Sequence, residues 1–488
     1  MRPLPAAFAD EMRTLFERFD RMAEWPDFLA SFAVKPVGGL RANTLKISPP
    51  DLRELLETEI DQTALPLQTV KWSDDGFYLP ADFQPGKLPW HSLGLFYIQE
   101  PSAMLPAAVL GARPGERILD LCAAPGGKSC RIAADLDGEG LLWANEISAD
   151  RARALLHNVE LTGCSNSIIT TETPERLAER LPLFFDRILV DAPCSGSGMF
   201  RRDPSAMDSW LDYGSEHCTN LQRGILRAAW TMLRPGGTLV YSTCTFSIAE
   251  NEEMILWLTG EMPDCRIEPI TKAAGVSDGL PLTPELAGTA RIWPHLADGD
   301  GHFCALLRKM SAEMPVHQPT VSQTPESAAA WGAFERFCTA ALSDSGQQRL
   351  LRLIEQGSRR FERDCLHLLP PGFQVPEHLR KIKTGLFLGQ IKVLRDKSVI
   401  YEPSQAFLFS LTAQDLRLAV EGLPDSDLIK RYLRGETVSA ETDGLEKAGN
   451  YAAILISGPT GSWPLGWVKT MGGGMLKNLY PPAWRRQI

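Results

Sequence analysis

D-R-I-L-V-D-A-P-C-S, residues 186–195, and G-T-L-V-Y-S-T-C-T, residues 237–245, decide how this chain folds. Each is an apolar run of strand length that closes on a polar residue, Asp191 in one and Ser242 in the other, with a cysteine just beyond: Cys194 and Cys244. Outward from this pair a strand, turn, helix order repeats from Glu116. Its strands are R-I-L-D-L (117–121), L-L-W-A-N-E (141–146), S-I-I-T-T (167–171), R-I-L-V-D (187–191) and T-L-V-Y-S (238–242). Helical segments such as Arg151 to Thr162 and Thr219 to Leu233 lie between them, and R-P-G-G at 234–237 is a helix-stop turn before the last strand. Another apolar strand, H-F-C-A-L-L, follows at 302–307. Strands alternating with helices predict a mostly parallel, doubly wound α/β sheet. Side chains just past strand C-termini gather at the ligand crevice of such a sheet, so Cys194 and Cys244 are expected in one pocket.

The 488 residues provide material for several domains. With 44% hydrophobic and 23% charged residues, and no apolar run of bilayer-spanning length, the chain reads as soluble and globular, with no membrane partner. Its start, M-R-P-L-P-A-A-F-A-D-E, has no signal-peptide apolar region before the first acids, so a cytoplasmic protein is expected. The ten cysteines form no C-x-x-C pair and no zinc-like grouping, which predicts mostly buried thiols and no metal. A net charge of -10 argues against a generally basic nucleic-acid binder, so any RNA partner requires a local basic surface.

Outside the alternating region, Phe8 to Phe19 and Asp51 to Thr58 read as helices. R-A-N-T-L-K-I at 41–47 offers Arg41, Asn43 and Lys46 either as a solvated strand face or as contacts to phosphate or base. G-L-F-Y-I-Q-E-P-S-A-M-L-P (94–106) leads into a helix, its aromatics read as packing. Residues 311–330, rich in Pro, Ser, Thr and Gln, read as a linker. Beyond it comes the basic stretch L-R-K-I-K-T-G-L-F-L-G-Q-I-K-V-L-R-D-K (379–397). After Glu446 the chain has no acidic residue, but Lys447, Lys469, Lys477, Arg485 and Arg486 stand among Trp463, Trp467, Tyr480 and Trp484. That mixture suits phosphate contact with base stacking as well as it suits a small β domain with a solvated basic face.

The first strand enters L-D-L-C-A-A-P-G-G-K-S (119–129), a small-residue turn that lets backbone approach a ligand and opens a helix N-terminus toward negative charge. A Walker A motif needs glycine where Cys122 stands, and the G-x-G-x-x-G spacing is absent. A smaller nucleoside such as S-adenosylmethionine remains, with Glu146 at the next strand end placed for ribose hydroxyls. Small or polar neighbours leave Cys194 and Cys244 accessible. R-R-D-P at 201–204 adds positive charge that could lower a thiol pKa or hold a phosphate.

These motifs, with R-P-G-G-T-L-V-Y-S-T-C-T and E-N-E-E (250–253), resemble in order those of the RNA cytosine-5 methyltransferases of the Nop2/Sun family. R-A-N-T-L-K and the 94–106 stretch resemble its N-terminal motif and the run into its fold. The tail, from P-L-G-W-V-K, is similar to the PUA-like RNA-binding module of the family's bacterial RsmF-like branch, which methylates ribosomal RNA. The resemblance implies a Rossmann-like methyltransferase domain at 106–310 after an α+β RNA-binding region at 1–105. The 311–330 linker, an auxiliary domain at 331–423 and a PUA-like domain at 424–488 complete the division. It implies Cys244 as nucleophile, Cys194 as the thiol assisting release, and Asp191 as a hydrogen-bond partner of the base and a cofactor neighbour. S-adenosylmethionine is expected against Cys122, Ala123, Ala124, Pro125, Gly126, Gly127, Lys128, Glu146 and Arg151. Where many relatives carry an adenine-contacting Asp, this chain has Thr173 with Glu172 beside it. The expected partner is ribosomal RNA or a ribosomal subunit, engaged by a monomer at a flipped or single-stranded cytosine. A non-catalytic RNA-binding or assembly factor is disfavoured by the joint presence of both thiols, Asp191 and the Gly-rich loop. A DNA cytosine methyltransferase is disfavoured because its nucleophile lies in a P-C motif after the fourth strand.

Overall fold

Two helices open the chain, α1 (Ala6–Arg18) and α2 (Trp25–Ser31), followed by β1 (Gly38–Ala42), α3 (Pro49–Glu57), β2 (Gly76–Leu79), α4 (Pro89–Ser92) and β3 (Phe96–Ile98). The three strands make a small antiparallel sheet in the order β2-β1-β3. The computed structural model describes residues 2–60, 66–310, 327–370, 376–396, 398–440, 445 and 448–485, with Tyr213 and Gln356 described by backbone alone.

The alternating region forms α5 (Leu105–Leu110), β4 (Arg117–Asp120), α6 (Gly127–Leu136), β5 (Leu141–Asn145), α7 (Ala149–Thr162), β6 (Ser167–Thr170), α8 (Pro174–Arg180), β7 (Phe185–Asp191), α9 (Ser205–Met232) and β8 (Leu233–Thr243). Strands β4 to β8 pair in parallel in the order β8-β7-β4-β5-β6. Ile188, Leu189 and Val190 are wholly buried, as a strand covered on both faces requires. The chain runs outward from β4 to β6 and returns to β7, so the order reverses between β4 and β7. The crevice lies at the C-terminal ends of those two strands. After β8 come α10 (Glu252–Glu261), β9 (Cys265–Glu268), β10 (Val276–Asp278), β11 (Ala290–Ile292) and β12 (His302–Lys309). Here the parallel expectation gives way: β12 runs antiparallel to β8, and β9 and β11 pair antiparallel with β12.

The remainder supplies α11 (Ala328–Ala341), α12 (Asp344–Gln356), β13 (Ser358–Glu362), β14 (Cys365–Leu369), β15 (Lys381–Thr384), β16 (Leu386–Val393), β17 (Val399–Pro403), α13 (Gln405–Phe409), β18 (Ala419–Gly422), α14 (Asp427–Leu433), β19 (Val438–Ser439), β20 (Tyr451–Gly458), β21 (Gly461–Gly472) and β22 (Met475–Asn478). Two sheets result, β13-β14-β16-β17 and β18-β20-β21-β22-β19. Most of the expected linker lies outside the described residues, but its last residues are helical, because Ser327 caps α11 by accepting from the Ala330 amide.

Packing joins segments that the sequence kept apart. Strand β15, from the stretch expected to be an auxiliary domain, adds antiparallel to β6 as the edge of the methyltransferase-like sheet, and Leu379 enters that sheet's core. Leu52, Leu55 and Trp90 of the N-terminal region share one hydrophobic cluster with Ile429, Tyr432 and Ile456 near the C-terminus. Arg41 and Asn43 are buried rather than a solvated face, and the half-buried Lys46 directs its ammonium to backbone carbonyls. Arg41 is buried and donates to the Gly127 carbonyl at 2.7 Å, and Asn43 donates to the Gly94 and Thr162 carbonyls. Lys46 Nζ donates to the Leu93 and Leu161 carbonyls and lies 4.2 Å from the Phe409 ring centre, so it ties three segments together. Burial lowers its pKa to about 7. No helix among the described residues is long and apolar enough to cross a membrane.

Candidate active site

The loops after β7 and β8 bring the two cysteines together, with Cys194 Sγ and Cys244 Sγ 3.3 Å apart, both free and partly exposed. The loops can approach this closely because residue 198 is glycine: its amide donates to the Cys244 carbonyl at 2.9 Å, and a Cβ there would lie 2.7 Å from that oxygen. The hydrogen bond to Cys244, reinforced by burial and by the Cys244 and Glu250 charges, pushes the Cys194 thiol well above the usual range. Cys194 therefore holds its proton and can donate it toward Cys244 Sγ.

Asp191 stands at the end of β7 with its side chain 29% exposed. Lys128 Nζ lies 2.6 Å from Oδ2, the Ser242 hydroxyl donates to Oδ1 at 2.7 Å, and His302 Nε2 is 3.6 Å from Oδ1. Burial favours the neutral acid, but the Lys128 ammonium and His302 outweigh it and hold Asp191 well below the usual carboxylate range. The same pairing overcomes burial on Lys128 and raises its pKa. At neutral pH Asp191 is thus an ionised acceptor.

Behind it, a cavity of about 230 Å³ is lined by Tyr97, Gln99, Asp120, Cys122, Lys128 and Asp191, together with Ala123, Ala124, Pro125 and Gly127. Tyr97 and Gln99, from the stretch read as packing, press on the Gly-rich turn so closely that a Cβ on Gly127 would lie 2.9 Å from Tyr97 Cε1. Gly126, with φ 117°, turns the chain into α6. Asp120 is fully buried; Ser129 donates to Oδ2 at 2.6 Å, while Oδ1 has no partner among the described residues. Burial raises its pKa to about 7. An orphaned carboxylate oxygen in a small-residue cradle fits a ligand bearing an ammonium group, as the amino-acid end of S-adenosylmethionine does.

Glu146 is buried at the end of β5, where Oε1 accepts from the Ser148 amide and Oε2 pairs with Arg151 at 3.1 Å. Arg151 also donates to the Ala124 carbonyl at 2.8 Å, bracing the loop. Thr173 caps α8 by accepting from the Arg176 amide, and Glu172 accepts from the Arg380 amide at 2.6 Å while pairing with Arg176. The third strand end is thus engaged by α8 and by the segment leading into β15. R-R-D-P does not act as free positive charge. Arg202 pairs with Asp300 at 2.6 Å and Arg201 lies 3.7 Å from it, while the Cys194 thiol is pushed up rather than down.

Residues given no role by the sequence reading line or brace the site: Asp120, Ser242, His302, Ser195 and Gln222, with Glu250 and Asn251 of the E-N-E-E motif. Asp120 and Ser242 carry the same strand-end signal as Asp191. Gln222, in the middle of α9, carries none. A larger cavity of about 750 Å³, lined in part by Lys46, Asp137, Asn166, Arg349, Thr412 and Trp463, lies at the N-terminal ends of β5 and β6, opposite the thiols. No group of three or more potential metal ligands occurs among the described residues.

A doubly wound sheet with a ligand cradle after its first strand and polar side chains at the switch point defines a Rossmann-like methyltransferase fold. A solved methyltransferase homolog protein from Pyrococcus horikoshii is 29% identical with a TM-score of 0.53, covering 63% of this chain and all of that one. Residues 107–308 match the family model for 16S rRNA methyltransferase RsmB/F, residues 4–101 the N-terminal domain of RsmF, and residues 423–486 the RsmF PUA domain. Ribosomal RNA small subunit methyltransferase F of Pectobacterium atrosepticum is 35% identical over 371 residues, 74% of this chain and 73% of that protein. The namesake protein of Erwinia tasmaniensis is 38% identical over 64% of this chain, a stretch that spans 65% of the relative's length. The chain belongs to the RsmB/F family, in its RsmF branch.

Proposed function

We propose that this protein transfers a methyl group from S-adenosylmethionine to C5 of a cytosine in ribosomal RNA through a covalent Cys244 intermediate. The observation that carries the proposal is the pair of thiols 3.3 Å apart at the ends of β7 and β8, beside an ionised Asp191. C5 of cytosine is a weak nucleophile. A thiolate adding to C6 turns the ring into an enamine, and Cys244 is assigned that attack. Asp191 accepts a hydrogen bond from the base at its 4-amino group or protonated N3, countering the charge that develops there. After methylation a solvent water takes the C5 proton, that C–H pair forms the C5–C6 double bond, and the S–C6 pair leaves with Cys244, whose departing sulfur the still-protonated Cys194 thiol hydrogen-bonds.

When bound, S-adenosylmethionine supplies the methyl group. Asp120 would receive its ammonium, the 122–128 turn and Lys128 would enclose its amino-acid end, and Glu146, braced by Arg151, would accept from ribose. The C-terminal domain is assigned RNA binding, supported by the PUA match and by exposed Lys477 and Arg485. The setting is assigned as the cytoplasm, with the protein acting as a monomer on ribosomal RNA or a ribosomal subunit.

The test is transfer of label from methyl-tritiated S-adenosylmethionine to ribosomal RNA, followed by mapping of 5-methylcytosine. Wild type incorporates label; Cys244→Ala loses turnover by about four orders of magnitude or more while still binding cofactor. Cys194→Ala accumulates a protein–RNA adduct that survives denaturation. RNA binding without incorporation would point to a non-catalytic assembly factor, and an adduct from Cys244→Ala rather than Cys194→Ala would reverse the two roles.

A further inference from the structure

The E-N-E segment at 250–252 follows the nucleophile's loop, and its three side chains are fully buried. Buried carboxylates and amides need specific partners. Glu252 has Arg291, which donates from Nε at 2.7 Å and from Nη2 at 2.5 Å. Glu250 and Asn251 face no ion-pair partner among the described residues, and their main hydrogen bonds go to different thiol loops, which also meet directly where the Ser195 and Thr245 hydroxyls lie 2.8 Å apart.

Glu250 accepts from the Ser195 amide at 3.0 Å and from the Ser195 hydroxyl at 2.5 Å. Gln222 Nε2 donates to the same carboxylate at 2.9 Å and to the Pro193 carbonyl at 3.0 Å. Pro193 and Ser195 flank Cys194. Asn251 accepts from the Thr243 hydroxyl at 2.5 Å and donates to the Thr245 carbonyl at 2.9 Å. Thr243 and Thr245 flank Cys244.

We propose that Glu250 and Asn251 are separate positioning residues for the two thiols, Glu250 with Gln222 setting the release thiol Cys194 and Asn251 setting the attacking thiol Cys244. This rests on the covalent mechanism proposed above. Two adjacent residues just before α10 refer both loops to one segment, and that reference, with the Gly198 and Ser195–Thr245 contacts between the loops, sets the sulfur–sulfur distance. Burial raises the pKa of Glu250, and its charge helps keep the Cys194 proton in place. A displacement of about 1 Å at a reacting group costs on the order of 100-fold in rate.

The experiment uses the full chain, ribosomal RNA and labelled S-adenosylmethionine, and reads turnover, denaturation-resistant adduct and cofactor binding together. Glu250→Ala is expected to lower turnover about 100-fold and to accumulate adduct as Cys194→Ala does. In a Cys194→Ala background it adds no further loss, because both changes remove the same step. Asn251→Ala is expected to form neither product nor adduct while binding cofactor normally. Ser195→Ala, a milder change that keeps the amide bond to Glu250 and removes the hydroxyl's bonds to Glu250 and Thr245, should raise the adduct about tenfold. Two results overturn the division: Glu250→Ala and Ser195→Ala that bind cofactor yet trap no adduct, or Asn251→Ala that traps it. Wild-type methylation with no adduct from any variant, Cys194→Ala included, overturns the covalent reading and this division with it.

Discussion

The crevice and the C-terminal sheet share a surface description in sequence, since both set reactive or recognition-type side chains among small and polar neighbours, yet they treat those side chains in opposite ways. At the crevice, Cys194, Cys244 and Asp191 stay partly exposed at strand ends. In the C-terminal domain Trp463, Trp467 and Tyr480, which could have stacked on bases, are buried, and Trp484 is half-buried. Trp467 is 1% exposed and donates to the Ser404 carbonyl at 3.0 Å, and Trp463 donates to the Lys46 carbonyl at 3.0 Å. Tyr480 is buried, and the Trp484 ring stacks on Phe409 at 5.6 Å. Lys447 and Arg486 lie outside the described residues. The ends of β7 and β8 face the crevice at the sheet's switch point and leave Asp191 and the two thiols partly open, whereas Asp120 and Glu146 at the neighbouring strand ends are buried. Residue type does not dictate exposure: tryptophan serves a core as readily as a base.

The sharpest way to break the contrast is Trp467→Ala. A core role predicts a loss of about 3–5 kcal/mol in unfolding free energy, read by denaturant titration. Unchanged stability with weakened RNA binding would return this ring to recognition. Next comes Lys128→Met at the crevice. Lys128 holds the Asp191 carboxylate below its ordinary range, so its stabilising contribution is complete above the unfolded-state value of about 3.9 and is lost as pH falls through the depressed folded value. Without Lys128 the Asp191 pKa should rise, moving the acid limb of kcat/KM to higher pH. An acid limb that stays where it was would remove Lys128 from this role. The smallest effect belongs to exposed Lys477. If it touches phosphate, Lys477→Ala reduces the salt slope of RNA affinity by about 1 without changing which RNA is preferred. An unaltered slope would place the RNA-contacting surface elsewhere.

Local pattern was enough for the alternating strands, because buried parallel strands advertise themselves as short apolar runs and α7 carries its own stop in Gly163. It was enough to place Cys194, Cys244, Asp191, Glu146 and the 122–128 turn at or just past strand ends. It failed for Arg41, Asn43 and Lys46, whose charge and polarity suggested an exposed face. Their acceptors are backbone carbonyls far along the chain, such as Gly127, Thr162 and Leu161, and no local signal encodes those. It also failed for Gln222, which looks like an ordinary helix residue until α9 is laid beside Glu250.

By itself, then, the sequence determined the winding of the sheet and which residues would stand at its open edge, since period and strand length act locally and the edge follows from topology. Tertiary structure alone decided the 3.3 Å thiol contact, which side chains brace each loop, and that β15 and the C-terminal aromatics would close cores begun elsewhere in the chain. Those outcomes depend on contacts between residues tens to hundreds of positions apart, and they exist only once the chain has folded to meet itself.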